Sequence, residues 1–326
     1  MTAAARAAAV RRGSGCFPDL ARGVVEVTGG DRRRWLNGML SADVGALEPG
    51  AGRYALLLSP KGRILADFQV IERGDRYWLD TDADQVEGAI AKLSRYLIAD
   101  DVALLDASDR FARIGIEGPA APEIAAALTG APLPARDGCS DAEIAGHPVA
   151  IAAFGWSGEP ACQLFAPREA RADMLAAIAR AGGDALVAGD AAVLDVLRIE
   201  AGIPRMGAEL GEDVFPAEAG LVERAVSLTK GCFTGQEIVA RLHSRGHVNH
   251  RLVGLRFAGD AAPPTGTLSL HDGKPVGEIT SACVSTAGAI GLGYVRLPHD
   301  APGVELWAGG RCVRVVALPH VGAARG

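Results

Sequence analysis

Aromatic side chains are scarce in this chain, at 5% of 326 residues, while alanine and glycine are abundant. That bias reflects a GC-rich coding sequence and points to no special fold. A surplus of basic residues is also missing. Thirty-three Lys and Arg face 39 Asp and Glu, so the net charge is −6, which excludes the strongly basic footprint of a nucleic-acid binder. No apolar run approaches the ~18 residues of a membrane-spanning helix. The six cysteines, at 16, 139, 162, 232, 283 and 312, form no C-x-x-C pair. Their scatter argues against a disulfide framework and against a Cys-only zinc or iron–sulfur site within one chain, and it suits reduced thiols in a cytosol or matrix. His243, His247 and His250 are spaced H-x3-H-x2-H, but no carboxylate or thiol stands near enough to complete a metal set. They read as a polar helix end running into a loop, and no metal site is expected.

What is present is a mixed chain with hydrophobic content of 49%, enough for a sizeable core. The opening "MTAAARAAAVRRGSG" has no acid before Asp19 and reads as a disordered leader over residues 1–18, in preference to an organelle transit segment. "VVEVTGGDRRRWLNGML" reads as a strand, a glycine turn and a helix with Asp31 as N-cap. In "RYALLLSPKGRILADFQVIERGDRYWLD", two apolar strands flank Ser59-Pro60-Lys61-Gly62 and a third follows Gly74-Asp75. A helix is expected over about 83–97, then strand 111–116, a helix near 120–128, strands near 148–153 and 161–166, and a helix near 168–181. This non-alternating order favours α+β over a doubly wound parallel sheet. "AAVLDVLRIEAG" reads as a helix stopped by Gly202. Beyond residue 249 only short strands between Gly, Pro and His-Asp-Gly turns remain, the pattern of a small closed β-barrel. The organisation is therefore a leader, an α+β region of two interleaved subdomains over 19–248, and a barrel over 249–326.

Chemistry concentrates in "LTKGCFTGQEIVARLHSRG", residues 228–246. Thr234 and Glu237 fit a capping box that starts a helix at Gly235. Glu237 and Arg241 are four apart, suited to an ion pair. Cys232 then lies just outside a helix N-terminus, with Lys230 nearby and Gly231 and Gly235 on either side. These are conditions that stabilise a thiolate, although a free cysteine is also commonly a small buried hydrophobe. No His with an orienting acid is identifiable, so hydrolytic nucleophile chemistry is disfavoured.

"KGCFTGQEIVAR" followed by "RG" resembles the K-G-C-[FY]-x-G-Q-E-x-x-x-R motif of the YgfZ family of folate-binding proteins, within the superfamily of the glycine-cleavage aminomethyltransferase. "VTGGDRRRWLNGMLSADV", "LLLSPKGRILADF" and "RIEAGIPRMGAEL" extend the likeness over most of the chain. The resemblance implies an aminomethyltransferase-like folate-binding body and a C-terminal barrel around a central channel, with tetrahydrofolate or a one-carbon derivative as ligand. It makes Cys232 the reactive thiol with Lys230 as its electrostatic partner. It assigns Glu200, Gln236 and Arg241 to ligand binding, and Gly231, Gly235 and Glu237 to shaping the motif. A carboxylate at Glu200 suits the donor edge of a pterin, though a charge ending a helix is the plainer reading. Two departures stand out. Ala66 and Asp67 occupy the place of a paired Asp-Asp, which removes the carboxylate expected to act in aminomethyl transfer. Arg22 and Leu194 replace tryptophans that hold folate elsewhere in the family. The function implied is a tetrahydrofolate-binding accessory factor for iron–sulfur cluster assembly or repair, with a one-carbon transferase or demethylase as the alternative. Expected partners are folate and iron–sulfur client proteins or assembly machinery, with no direct nucleic acid and no membrane. A monomer is expected, in the cytoplasm or, for a eukaryotic source, the mitochondrial matrix.

Overall fold

A computed structural model describes residues 1–246 and 248–321. Two antiparallel-rich sheets and a barrel are built along the chain. A five-stranded sheet runs in the order Gly52–Leu58, Ile64–Glu72, Tyr77–Asp82, Arg22–Thr28 and Ala103–Asp106. A six-stranded sheet runs Leu186–Ala188, Ser14–Phe17, Phe111–Glu117, Ala161–Pro167, His147–Ala152 and Cys139–Ile144. Each sheet carries helices on its outer face. Helices Arg32–Met39 and Val86–Ser94 bury Trp35, Leu36, Ala89 and Leu93 against Val25, Phe68 and Val70 of the first. Helices Ala121–Thr129 and Arg171–Gly182 bury Ile124, Met174 and Ile178 against Ile114, Ile116 and Leu164 of the second. The inner faces meet through Val24, Ile71 and Trp78 on one side and Ala150, Ala152, Phe154 and Phe165 on the other. Trp78 and Phe165 stack at 5.3 Å between centroids. The result is a helix–sheet–sheet–helix body, the α+β class read from the sequence.

The leader is a correction to that reading. Residues Ala3–Val10 form a helix, capped by the Thr2 hydroxyl accepting from Ala5 N–H, and Ser14–Phe17 pairs within the six-stranded sheet. Alanines that look uninformative in sequence are good helix formers. Ala7 and Val10, with no exposed surface, pack on Val193, Val196 and Leu197 of helix Ala191–Ala201. Arg6 pairs with Asp190, and Arg11 bridges Glu159 and Glu200 at 2.8 and 2.6 Å. Asp31 does precede its helix, but its carboxylate accepts from Asp101 N–H instead of capping.

From His250 to Val316 six strands close a barrel filled by Leu255, Phe257, Ile279, Leu306, Val313 and Val315. Glu209 fixes the barrel to the body. Its buried carboxylate pairs with Arg198 at 3.0 Å and accepts from the Ser281 and Thr280 hydroxyls, while its carbonyl accepts from Tyr294. Arg198 also donates to Ser281 Oγ at 2.8 Å. A buried ion pair of this kind adds little net stability when intact, but losing one partner strands the other charge. Glu209→Ala is expected to lower the unfolding free energy by about 3–5 kcal/mol, read as a shift in the denaturant midpoint. A midpoint unchanged from the parent protein would show that the barrel is held by apolar contacts alone.

Candidate functional site

Strand alternation decides what faces the space between the sheets. Along Ile64–Glu72, Ala66, Phe68 and Val70 turn to the helix-covered core, and Asp67 and Gln69 turn inward. Arg22 begins its strand opposite Asp82, and Asp80 lies two residues earlier on the same face. Arg22 Nε donates to Asp80 Oδ1 at 2.9 Å and a terminal nitrogen pairs with Asp82. Arg113 from the other sheet takes the second oxygen of Asp80, which has no exposed surface. Asp67 accepts from the Tyr54 hydroxyl at 2.9 Å. Burial pushes the Asp67 carboxyl above its usual range, with the Arg22 charge opposing, and it pushes the Tyr54 phenol well up.

Of these groups, Arg22, Asp67 and Asp82 line a cavity that opens to solvent. Leu20 and Leu194 supply apolar wall. Trp156 faces Arg22, whose guanidinium carbon lies 4.6 Å from the indole centroid. Arg22, Asp67, Trp156 and Pro204 also line a deeper recess with Tyr54, Gln69 and Arg224. That recess shares Phe154, Ile203 and Arg224 with a further cavity bordered by Arg136 and Glu159, and these adjoining spaces together are termed the channel. Arg22 and Leu194, the positions where the resemblance expects tryptophan, do line the channel. The aromatic wall comes from Trp156, which the sequence reading missed. A glycine-flanked Trp in a chain poor in aromatics was the signal available.

The cysteine motif lies elsewhere. Helix Gln236–Arg245 has Gly235 as N-cap with no side-chain cap bond, so the Thr234 capping box does not form, and Thr234 N–H donates to the Gly38 carbonyl instead. Gly235 has a positive φ of 81°, and a Cβ there would lie 2.6 Å from the Ser59 carbonyl oxygen. This glycine seats the motif on the Ser59–Gly62 turn. Phe233 is buried with Leu58, Ile64 and Val239. Lys230 is not aimed at the thiol. Its ammonium donates to the carbonyls of Asn37, Leu40 and Ala42 at 2.5, 2.6 and 2.7 Å, closing the end of helix Arg32–Met39. Burial pushes its pKa down to about 8, opposed by Asp43, so the donor is still charged at neutral pH. Cys232 and Gly231 are exposed, and Gln236 is half-buried. Glu237 and Arg241 form the expected pair at 2.6 Å on the surface. Gln236 and Arg241 do not line the channel, nor does Glu200. The Glu200 carboxylate is taken by Arg11, and its carbonyl accepts from His320 N–H. His247 lies outside the described residues, and among those described no His, Cys, Asp or Glu group is arranged to hold a metal.

Residues 2–230 match the family model of the GCVT N-terminal domain, and residues 250–321 match that of the glycine cleavage T-protein C-terminal barrel domain. The chain belongs to the glycine cleavage T-protein family. Within it, the chain is 32% identical to an aminomethyltransferase of Streptomyces coelicolor over 309 residues, covering 91% of this chain and 82% of the relative. It is 30% identical to the Bacillus subtilis aminomethyltransferase, with 90% and 82% covered. The fold is that of glycine cleavage system aminomethyltransferase T from Bartonella henselae, with a TM-score of 0.87, 21% identity, and 98% and 90% of the two chains covered. Aminomethyltransferases of this family use tetrahydrofolate as the one-carbon acceptor. The relatives just given carry the name aminomethyltransferase, and the YgfZ branch is not set apart by them.

Ala66 is 2% exposed and packs in the sheet core, while Asp67 lies on the channel side. The motif residues divide in the same way between scaffold and surface. Lys230→Met is expected to cost about 1–3 kcal/mol, because the helix-end carbonyls lose their donor. Cys232→Ser should stay within about 0.5 kcal/mol of the parent. Chemical denaturation of both variants checks this, and a neutral Lys230→Met would mean that water replaces the ammonium at no cost.

Proposed function

We propose that the chain is a tetrahydrofolate-dependent one-carbon transferase with Asp67 as the carboxylate at its reaction centre. The carrying observation is the inward side on which Asp67 lies, half-buried in the channel beside Tyr54 and Arg22. The aminomethyltransferase name of the relatives supports the same reading. The donor set fits a flat heterocycle with ring N–H groups: an indole wall at Trp156, apolar flanks at Leu20 and Leu194, and a half-buried acceptor at Asp67. When bound, tetrahydrofolate supplies two amine nitrogens that together receive the carbon. Asp67 is suited to hold a proton released there. Its upward-shifted carboxyl can take and return a proton closer to neutrality than an exposed aspartate can. Arg22, neutralised between Asp80 and Asp82, orders the site without forcing Asp67 to stay ionised.

Asp67→Asn should therefore lower one-carbon transfer to tetrahydrofolate by about 10²–10⁴-fold. Affinity for tetrahydrofolate, measured by calorimetry, should fall far less. The acidic limb of the parent pH–rate profile should lie above the range of an ordinary aspartate and vanish in the variant. Full turnover by Asp67→Asn with an aminomethylated carrier would remove Asp67 from the reaction centre.

One observation favours a second reading, an accessory role in iron–sulfur cluster assembly or repair. Cys232 is exposed, whereas Cys16, Cys139 and Cys162 are buried and Cys283 and Cys312 are half-buried. A thiol that serves a partner protein has to be reachable, and this one is. At limiting alkylating reagent Cys232 should label first, and Cys232→Ser should fail to restore iron–sulfur enzyme activities in a deletion strain. Full restoration would leave one-carbon transfer as the sole reading.

A further inference from the structure

We propose that Glu117, a buried carboxylate of the six-stranded sheet that the reaction does not use, is the positioning residue for the aromatic wall of the channel. This inference rests on the one-carbon reading for its ligand, but its geometry stands apart from it. Glu117 ends strand Phe111–Glu117 with no exposed surface. Its Oε1 accepts from Trp156 N–H at 3.1 Å, and its Oε2 accepts from Ser157 N–H at 3.0 Å and from the Ser157 hydroxyl at 2.5 Å. Three donors from two consecutive residues therefore converge on one carboxylate, which fixes the backbone that carries the indole. The approach is close enough to dictate the preceding residue. A Cβ at Gly155 would lie 2.5 Å from Glu117 Oε1 and 2.3 Å from the Ala161 side chain, so only glycine fits. The far end of the same loop is held by Glu159, whose Oε1 pairs with Arg11 at 2.8 Å and whose N–H donates to Ser157 Oγ. Between these anchors Trp156 has one outcome: its ring is presented to the channel against Arg22 and edge-on to Phe154 at 5.6 Å.

A carboxylate in this place also makes the grip depend on protonation. Burial pushes Glu117 up to about 7, against the three bonds from Trp156 and Ser157 and the positive charge of Arg11. From the adjacent strand Gln163 points at Glu117, while Cys162 turns to the opposite, apolar face, where burial pushes its thiol up to about 12. Protonation turns one accepting oxygen into a donor facing N–H groups, so the loop is held fully above about pH 7 and loosens below it. Global stability moves the other way. A carboxyl with a raised folded pKa destabilises the fold as pH rises from its unfolded value, near 4.5, to about 7, and the loss then levels off.

The test uses the full-length protein with Glu117→Gln, and with Ser157→Ala as the milder change should the first fold poorly. Hydrogen exchange of the 154–160 peptide is followed without ligand from pH 6 to pH 8, corrected for intrinsic rates, and tetrahydrofolate affinity is measured by calorimetry. In the parent protein, protection of this peptide should rise across the interval and affinity should rise with it. In Glu117→Gln, protection should be low and flat, affinity at pH 8 weaker by about tenfold, and the loss of thermal stability between pH 5 and 7 reduced. Ser157→Ala should show a smaller loss of protection and of affinity. A loop equally protected in parent and variants overturns the proposal. So does a loosened loop with unchanged affinity, since the wall would then not need Glu117. If the parent protein binds no tetrahydrofolate, the one-carbon reading fails, and the exchange profile alone decides the role of Glu117.

Discussion

Asp80 is the pin through the body of this protein. It has no exposed surface, and its two oxygens are claimed from opposite sheets by Arg22 and Arg113. A carboxylate in that place would be prohibitive without both partners. With them, a charged link spans the two sheets. Trp78 and Phe165 stack at one end of the shared face, and Arg113 lies over the Phe165 ring at 3.7 Å, where apolar contact gives way to charge. The channel begins where the sandwich stops being hydrophobic. Its existence therefore depends on buried charge, and the polarity needed to recognise a ligand is the same polarity that keeps the space open.

That arrangement sets the state of Asp67. Three carboxylates surround Arg22, but Asp80 and Asp82 take its hydrogen bonds. Asp67 is left with the Tyr54 hydroxyl and a desolvated position, which is why its pKa moves up. The strand register thus leaves one carboxylate of the three free of an arginine hydrogen bond.

Much of this was legible from residues alone. The meander around Ser59–Gly62, the barrel beyond residue 249 and the helix ended by Gly202 follow from turn residues and periodicity, and the structure carries them. The period-2 rule applied to "ILADFQV" was also available: Ile64, Ala66, Phe68 and Val70 form an apolar row, which puts Asp67 on the opposite face. Other features had no local signal. The short strands Ala103–Asp106 and Leu186–Ala188 are defined by their pairing partners more than by their own residues. The helix at residues 3–10 gains its stability from Val193, Val196 and Leu197, nearly two hundred residues away. Glu200 and Lys230 look free in sequence because Arg11 and the 37–42 carbonyls that engage them are equally distant.

The cysteine motif gains a physical explanation from these distances. Lys230 anchors one end to the first helix of the body, Phe233 anchors the middle to the core, and Gly235 presses the other end onto the turn of the strand pair that carries Asp67. Lysine, phenylalanine and glycine are each required by what they touch. Cys232, held between them and exposed, makes no stabilising contact of that kind. A rigid frame built around a residue that the frame itself does not need is the arrangement expected when the residue acts outward, on something that comes to the surface. The channel and the exposed cysteine thus lie at separate places, joined through Ser59–Gly62 and its flanking strands. A shift of strand Ile64–Glu72 would reach the motif both through that turn and through Ile64, which packs on Phe233.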